Sequence, residues 1–302
     1  MRPLPLPRRR GPALVAALAL SLLAASLAGP QRAAAEARPP APAVVGADAQ
    51  GRALTPPAPA PEAAPGAASG AGEWDAFPGT GEAAPAPLVV IGDDTRYRVT
   101  DTTAYPNRAI VYLTTSAYRC TGFLVSADTV VTAGHCVHPG RADRDFYSAF
   151  RAHPGRNGAV SPYGSCGHTE VWTSQAWATT GDRREDWGVL KLDCAIGTTT
   201  GWLGHRWQDA THVGNSVNLR GYPGDKPEGT MWSGSGRIRS ETPTNLRYEI
   251  DTYDGQSGSP VFDLYGEDWQ AIGVHTYGPY QTCCNGGTRI TPAIAAFLAD
   301  VR

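Results

Sequence analysis

Three short stretches hold residue types that can do nucleophilic chemistry together. Gly255-Gln256-Ser257-Gly258-Ser259-Pro260 sets a serine in a loop with glycines on both sides. A nucleophilic serine needs an exposed hydroxyl and nearby N–H groups to hold a developing oxyanion. The N–H groups of Gly255 and Ser257 are the natural donors. Val131-Thr132-Ala133-Gly134-His135-Cys136 sets a histidine among small residues after an apolar run. Arg183-Arg184-Glu185-Asp186-Trp187-Gly188 sets a carboxylate at the entrance to another apolar run, where it can face inward and orient an imidazole. Each stretch alone is ordinary: a Gly/Ser turn, a structural histidine, a surface aspartate.

The elements that must position these residues read as many short strands. Ala109–Leu113, Thr121–Val125, Val130–Thr132, Trp187–Leu192, Ser216–Arg220, Thr230–Trp232, Leu246–Ile250, Pro260–Asp263 and Ala271–His275 are apolar runs. Breaks such as Tyr222-Pro223-Gly224-Asp225 and Ser233-Gly234-Ser235-Gly236 read as turns between them. This spacing predicts an all-β antiparallel sandwich or barrel. One helix is expected at the C terminus, capped by Thr291, with Pro292 in its first turn and Ile294, Phe297, Leu298 and Val301 on its apolar face.

The averages bound the function. A formal charge of -2 with 18% charged residues excludes a globally basic nucleic-acid binder. The chain changes character near residue 88: residues 1–88 hold 16 of the 26 prolines and none of the six cysteines. Residues 1–35 read as a secretory signal, with Arg8-Arg9-Arg10, an apolar run from Ala13 to Ala28 and small residues at Ala33-Ala34-Ala35. That run is short for a bilayer span. Residues 36–88 are Ala/Pro/Gly-rich and are expected to be mostly disordered, as a linker or a pro-segment. Residues 89–302 are the foldable part.

Export permits disulfides. Cys120 and Cys136 lie across an expected hairpin, and a bridge there would fix His135; closing so short a loop is worth about 3 kcal/mol. Cys166 and Cys194 can pair. Cys283 and Cys284 can form a vicinal disulfide, stay as thiols or pair elsewhere. No metal site or cofactor is expected, since no CxxC pair is present and the histidines lack ligand spacing.

The chain order His135, Asp186, Ser257 is that of the chymotrypsin-type triad. TAGHC, DWGVL and GxSGSP each resemble that superfamily's local signatures. From Val90 to Arg302 the chain further resembles the bacterial glutamyl endopeptidase family of the secreted bacillary type. The likeness is carried by VIGDDTRYRVTDTTAYPNRAIVYL, PGRNG, GYPGDK, DTYDGQSGSP and GTRIT. It implies a chymotrypsin-like double antiparallel β-barrel with a C-terminal helix. It also implies a removed propeptide and cleavage after Glu, less well after Asp.

The same resemblance places Thr252, His275, Thr276 and Gly278 at the substrate pocket. A hydroxyl and an imidazole N–H can bond a substrate carboxylate, and Gly278 leaves room for its side chain. Animal relatives carry Asp before the nucleophilic serine; here Gln256 cannot pair with a freed N-terminal ammonium. The resemblance instead puts a new N terminus, near Val89, beside the pocket. The expected protein is a secreted, monomeric serine endopeptidase acting on protein or peptide substrates, with no nucleic-acid partner and no membrane association after signal removal. The alternatives are an inactive homologue that serves as a binding module, and a protease of apolar specificity.

Overall fold

The computed structural model describes residues 40–58, 90–280 and 284–302. The expected signal, residues 36–39 and 59–88 of the expected pro-segment, Val89 and Cys283 lie outside the described residues. Sixteen strands follow in chain order. They are β1 (Val44–Asp48), β2 (Ala53–Leu54), β3 (Tyr97–Arg98), β4 (Ile110–Thr114), β5 (Arg119–Leu124), β6 (Thr129–Thr132), β7 (Arg151–Pro154) and β8 (His168–Ser174). Then come β9 (Gly188–Leu192), β10 (Gly204–His205), β11 (Ser216–Gly221), β12 (Trp232–Glu241), β13 (Asn245–Tyr248), β14 (Pro260–Tyr265), β15 (Asp268–Tyr280) and β16 (Cys284–Arg289). The helices are α1 (Gln175–Thr180), α2 (Gly197–Thr200) and α3 (Pro292–Asp300).

Two sheets of eight strands divide the chain. The first has the order β2-β1-β8-β9-β6-β5-β4-β7, and paired backbone bonds between Ala152 and Cys166 bring its β7 end round toward β8. In the second, β15, β14, β11, β12, β13 and β16 follow one another, and a further β15–β16 pairing closes the ring. All pairings except β10 with β15 are antiparallel. The all-β expectation therefore holds. So does the terminal helix: Thr291 caps it through the Ile294 N–H, and Phe297 packs against Trp172 and Trp187. No helix among the described residues is long and apolar enough to cross a membrane.

One expectation needs correction. Ser233–Gly236 is not a turn but the body of β12. Gly234 and Gly236 face Ile250, and a Cβ at either would come within 2.8 Å of its side chain. There glycine marks close approach rather than a chain reversal. Within 36–88, expected to be mostly disordered, residues 40–58 hold β1 and β2, which form a hairpin on the first sheet. Its proline-rich flanks hid two buried apolar positions, Val44 and Ala47.

The bridges Cys120–Cys136 and Cys166–Cys194 are both formed. The first ties β5 to the short helical turn Gly134–Cys136. Cys284 is also disulfide-bonded.

Candidate active site

The first sheet supplies a histidine and a carboxylate. β6 ends at Thr132, and the helical turn that follows carries His135. Asp186 stands just before β9, which pairs with β6, so the register brings the two together. One Asp186 carboxylate oxygen accepts the His135 backbone N–H at 2.9 Å, and the other meets His135 Nδ1 at 2.8 Å. Both carboxylate oxygens are thus committed to one residue, and the ring is fixed with Nε2 facing away from Asp186. Asp186 is almost fully buried, while the His135 side chain keeps 19% exposure. Trp177 lies 6.1 Å from the imidazole, and the Tyr118 hydroxyl donates to the His135 carbonyl.

The second sheet supplies the serine on the loop before β14. Thr121 of β5 pins this loop from across the sheets. Its N–H donates to the Ser257 carbonyl at 2.8 Å and its hydroxyl to the Gly255 carbonyl at 2.9 Å. Ser257's carbonyl also lies 3.7 Å from Cys136 Sγ, next door to His135. Gly258 has φ +86°, and a Cβ there would fall 2.0 Å from the Thr121 carbonyl, so only glycine fits. Among the described residues the Ser257 hydroxyl takes no hydrogen bond, from His135 or otherwise. Such contacts are commonly loose before substrate arrives.

The loop leaves two backbone N–H groups without a backbone acceptor among the described residues. Gly224 N–H donates to the Asp254 carbonyl at 2.6 Å. Because a trans peptide opposes its C=O and N–H, the Gly255 N–H points the other way. Neither the Gly255 nor the Ser257 N–H has a backbone acceptor among the described residues.

The remaining site residues fall into two groups. His275, on β15, is locked to the loop that carries Ser257: its N–H donates to the Ser259 carbonyl and its carbonyl accepts the Gly258 N–H. Thr252 and Thr276 are buried nearby in sequence terms on the preceding loop and on β15, and Gly278 is buried two residues beyond Thr276. His275 is fully buried, with Nδ1 2.7 Å from the Tyr248 hydroxyl and 3.1 Å from the Gly286 carbonyl. Its Nε2 and the Thr252 hydroxyl are buried with no partner. Burial depresses the His275 pKa to about 3; the Gly286 carbonyl opposes that fall and nearby His135 adds to it. Burial also raises the Tyr248 phenol well above its usual value, so it stays protonated.

Several residues with a part in this geometry went unread in the sequence. Tyr248 and Thr121 are two. Asp251 is a third: it accepts the Ile91 N–H at 2.7 Å and both the N–H and hydroxyl of Thr95. Arg96 is a fourth. Its side chain is fully buried, pairs with Asp94 and Asp225, and reaches Gln256 Oε1 at 3.3 Å. A run of charge at Asp93-Asp94-Thr95-Arg96 was the available signal, but its partners lie more than a hundred residues away. Val89 lies outside the described residues; two residues later, Ile91 is already fixed on Asp251.

A trypsin-like peptidase domain model matches residues 120–274. A glutamyl endopeptidase of Bacillus licheniformis is 42% identical over 211 residues, 68% of this chain and 66% of that protein. A Bacillus subtilis protein named an extracellular metalloprotease is 44% identical over 68% of this chain and 67% of its own length. The chain thus spans about two thirds of these relatives. The solved structure of a Glu endopeptidase in complex with MPD superposes with TM-score 0.66 at 34% identity, covering 71% of this chain and 100% of that one. The two-barrel architecture is shared. Among the described residues, the group closest to a metal donor set is Cys166, Asp193 and Cys194, and its two sulfurs are bonded to each other.

Proposed function

The chain belongs to the trypsin-like peptidases and, within them, to the glutamyl endopeptidase family; from that premise we propose that it is a secreted serine endopeptidase cleaving after glutamate and, less well, after aspartate. Ser257 attacks the scissile carbonyl carbon while His135 Nε2 takes the hydroxyl proton. Asp186 holds the ring and stabilises the imidazolium. The oxyanion rests on the N–H groups of Gly255 and Ser257. The C–N bond then breaks as His135 returns the proton to the leaving amine, and water hydrolyses the acyl-enzyme by the same proton path.

The observation that supports the substrate preference is that His275 Nε2 and Thr252 Oγ1, together with Thr276 Oγ1 beside His275, are among the buried polar atoms with no partner among the described residues. Buried polar groups without partners are costly, and natural proteins rarely keep them without a use. A Glu side chain entering between His275 and Thr252 would supply acceptors for both. In the tautomer this reading takes, Nδ1 accepts from the Tyr248 hydroxyl instead of donating to the Gly286 carbonyl, which puts the ring's hydrogen on Nε2, toward the substrate carboxylate. The neutral ring then acts as a donor rather than as a fixed charge. Thr276 and Gly278 complete the wall, and the new N terminus near Val89 supplies positive charge. Residues 1–35 act as the export signal and 36–88 as a pro-segment removed on maturation. The mature domain works as a monomer.

Digestion of an unbiased peptide library by matured protein, with cut sites read by mass spectrometry, tests this. Cuts concentrated after Glu, with fewer after Asp and almost none after Gln, are expected. Cuts spread over apolar residues would overturn the pocket assignment.

A further inference from the structure

Residues 43–54 have the composition of a linker but the fit of a ligand. β1 runs antiparallel to β8 through five consecutive pairs, from Val44 opposite Ser174 to Asp48 opposite Glu170. Backbone bonds extend the pairing at both ends: Gln175 N–H to the Ala43 carbonyl at 2.9 Å, and Ala49 N–H to the Thr169 carbonyl at 3.0 Å. Val44 and Ala47 enter the main apolar core, and Leu54 of the returning strand packs on it. Gly46 lies on the Trp172 indole, where a Cβ would come within 2.2 Å of the ring. Asp48 closes the turn by accepting the N–H groups of Gln50 and Arg52 and the Arg52 guanidinium. A glycine, a carboxylate and two inward apolar residues each meet a specific demand.

Remove this hairpin and β8 becomes an edge. Those of its N–H and C=O groups from Thr169 to Ser174 that face β1 would lose their partners, those that face β9 would keep theirs, and Trp172 would be uncovered. Open edges of that kind invite pairing with other chains. The edge also continues into the site. Ser174 caps α1 by accepting the Trp177 N–H, and its hydroxyl donates to the Glu185 carbonyl, one residue before Asp186. The described hydrogen bonds of residues 43–54 run to Thr169–Gln175 and within the hairpin, while the domain's other end, at Ile91, is held on Asp251. A cut anywhere in 59–89 therefore severs the tether and none of these contacts.

We propose that residues 43–54 are a detachable strand pair. They dock on β8 by strand addition, steady the segment 174–186, and stay bound as a separate fragment after the connecting chain is cut. This rests on the reading of 36–88 as a pro-segment and amends it: maturation cuts the connecting chain, and the part that carries 43–54 is retained without a covalent link. Once the chain is cut, retention depends on concentration, because an intramolecular contact has become a bimolecular one.

The test uses the full chain with Ser257→Ala, to stop self-cleavage, and a recognition sequence for a site-specific protease placed within residues 59–89. After cutting, size-exclusion chromatography without denaturant should show the hairpin fragment eluting with the domain. A synthetic peptide of residues 40–58 in excess should displace it, a readout that needs no destabilised variant. Gly46→Leu should release the fragment after cutting. Amide exchange at Thr169–Ser174 should speed at least tenfold when the fragment leaves. A fragment that separates from a still-folded domain at once, with unchanged exchange on β8, overturns the proposal. The maturation reading fails on a different measurement: denaturing electrophoresis with mass spectrometry of active native enzyme that finds a single chain uncut between residues 59 and 89.

Discussion

Both oxygens of the Asp186 carboxylate are taken up by His135 on the first sheet's side of the site, whereas on the second sheet's side His275 Nε2 and Thr252 Oγ1 are buried with no partner among the described residues. Two regions a few strands apart thus stand in opposite states. The His–Asp pair is complete before any substrate arrives, which suits groups that must keep one orientation through a proton transfer. In the proposed pocket the His275 Nε2 and the Thr252 and Thr276 hydroxyls have no partner among the described residues, as the proposal requires of groups whose partner is the substrate. The bond between them, from Ser257 to His135, is not made at rest. On the proposed function, rigid support on one side would serve catalysis and unmet demand on the other would serve specificity.

Breaking the completed side should cost most. Ser257→Ala should lower kcat by roughly 10⁴ to 10⁶, and Asp186→Asn by about 10⁴ with the fold intact. Initial rates alongside circular dichroism check this, and full activity in Ser257→Ala would remove the serine from the mechanism. Damage to the incomplete side should be selective instead. His275→Ala should reduce kcat/KM on Glu substrates by about 2–4 kcal/mol, a factor of roughly 30 to 1,000. Gln substrates, alike in shape but neutral, should lose much less. Equal losses on both would make His275 structural. Thr252→Val removes one neutral donor and should cost roughly tenfold on Glu substrates, again sparing Gln.

The smallest effect expected concerns acid. His275 has its pKa lowered to about 3 in the folded protein, against 6.5 as its ordinary value. Between those values the unfolded chain binds a proton that the folded chain does not, so stability falls as pH drops from about 6.5 toward 3. Thermal melts of the Ser257→Ala chain should show this slope. His275→Gln should make it shallower by no more than one proton, because His205 and His212, whose pKa values burial lowers to about 4, contribute in the same direction. An unchanged slope would mean that the ring is not held neutral.

The legible part of this molecule was local. His135, Asp186 and Ser257 each sit in a stretch whose small neighbours, apolar strand and chain order can be read in one pass. α3 carried its own cap, proline and apolar stripe. The illegible part was made of partners far apart. Tyr248 meets His275 across 27 residues, and Arg96 meets Gln256 across 160. β16 reads Cys-Asn-Gly-Gly-Thr-Arg, with no alternation to betray a strand, because it lies buried between β13 and β15 where glycines admit close neighbours. β1 was hidden for a related reason: alanine, glycine and valine among prolines look like linker until Trp172 is set beneath them.

Arg96 has a bearing on alkaline conditions. The loop from Gly255 to Ser257 is tied through Gln256 to a guanidinium buried among carboxylates; burial acts to lower its pKa, but its side-chain bonds to Asp94 and Asp225 outweigh that and raise it. A chain-terminal ammonium in that role would lose its proton at about pH 8. The guanidinium keeps its charge far above that, and it does so whether or not a new chain end has been made. The loop's internal tie is therefore indifferent to base, and any fall in activity on the alkaline side must be sought elsewhere in the site.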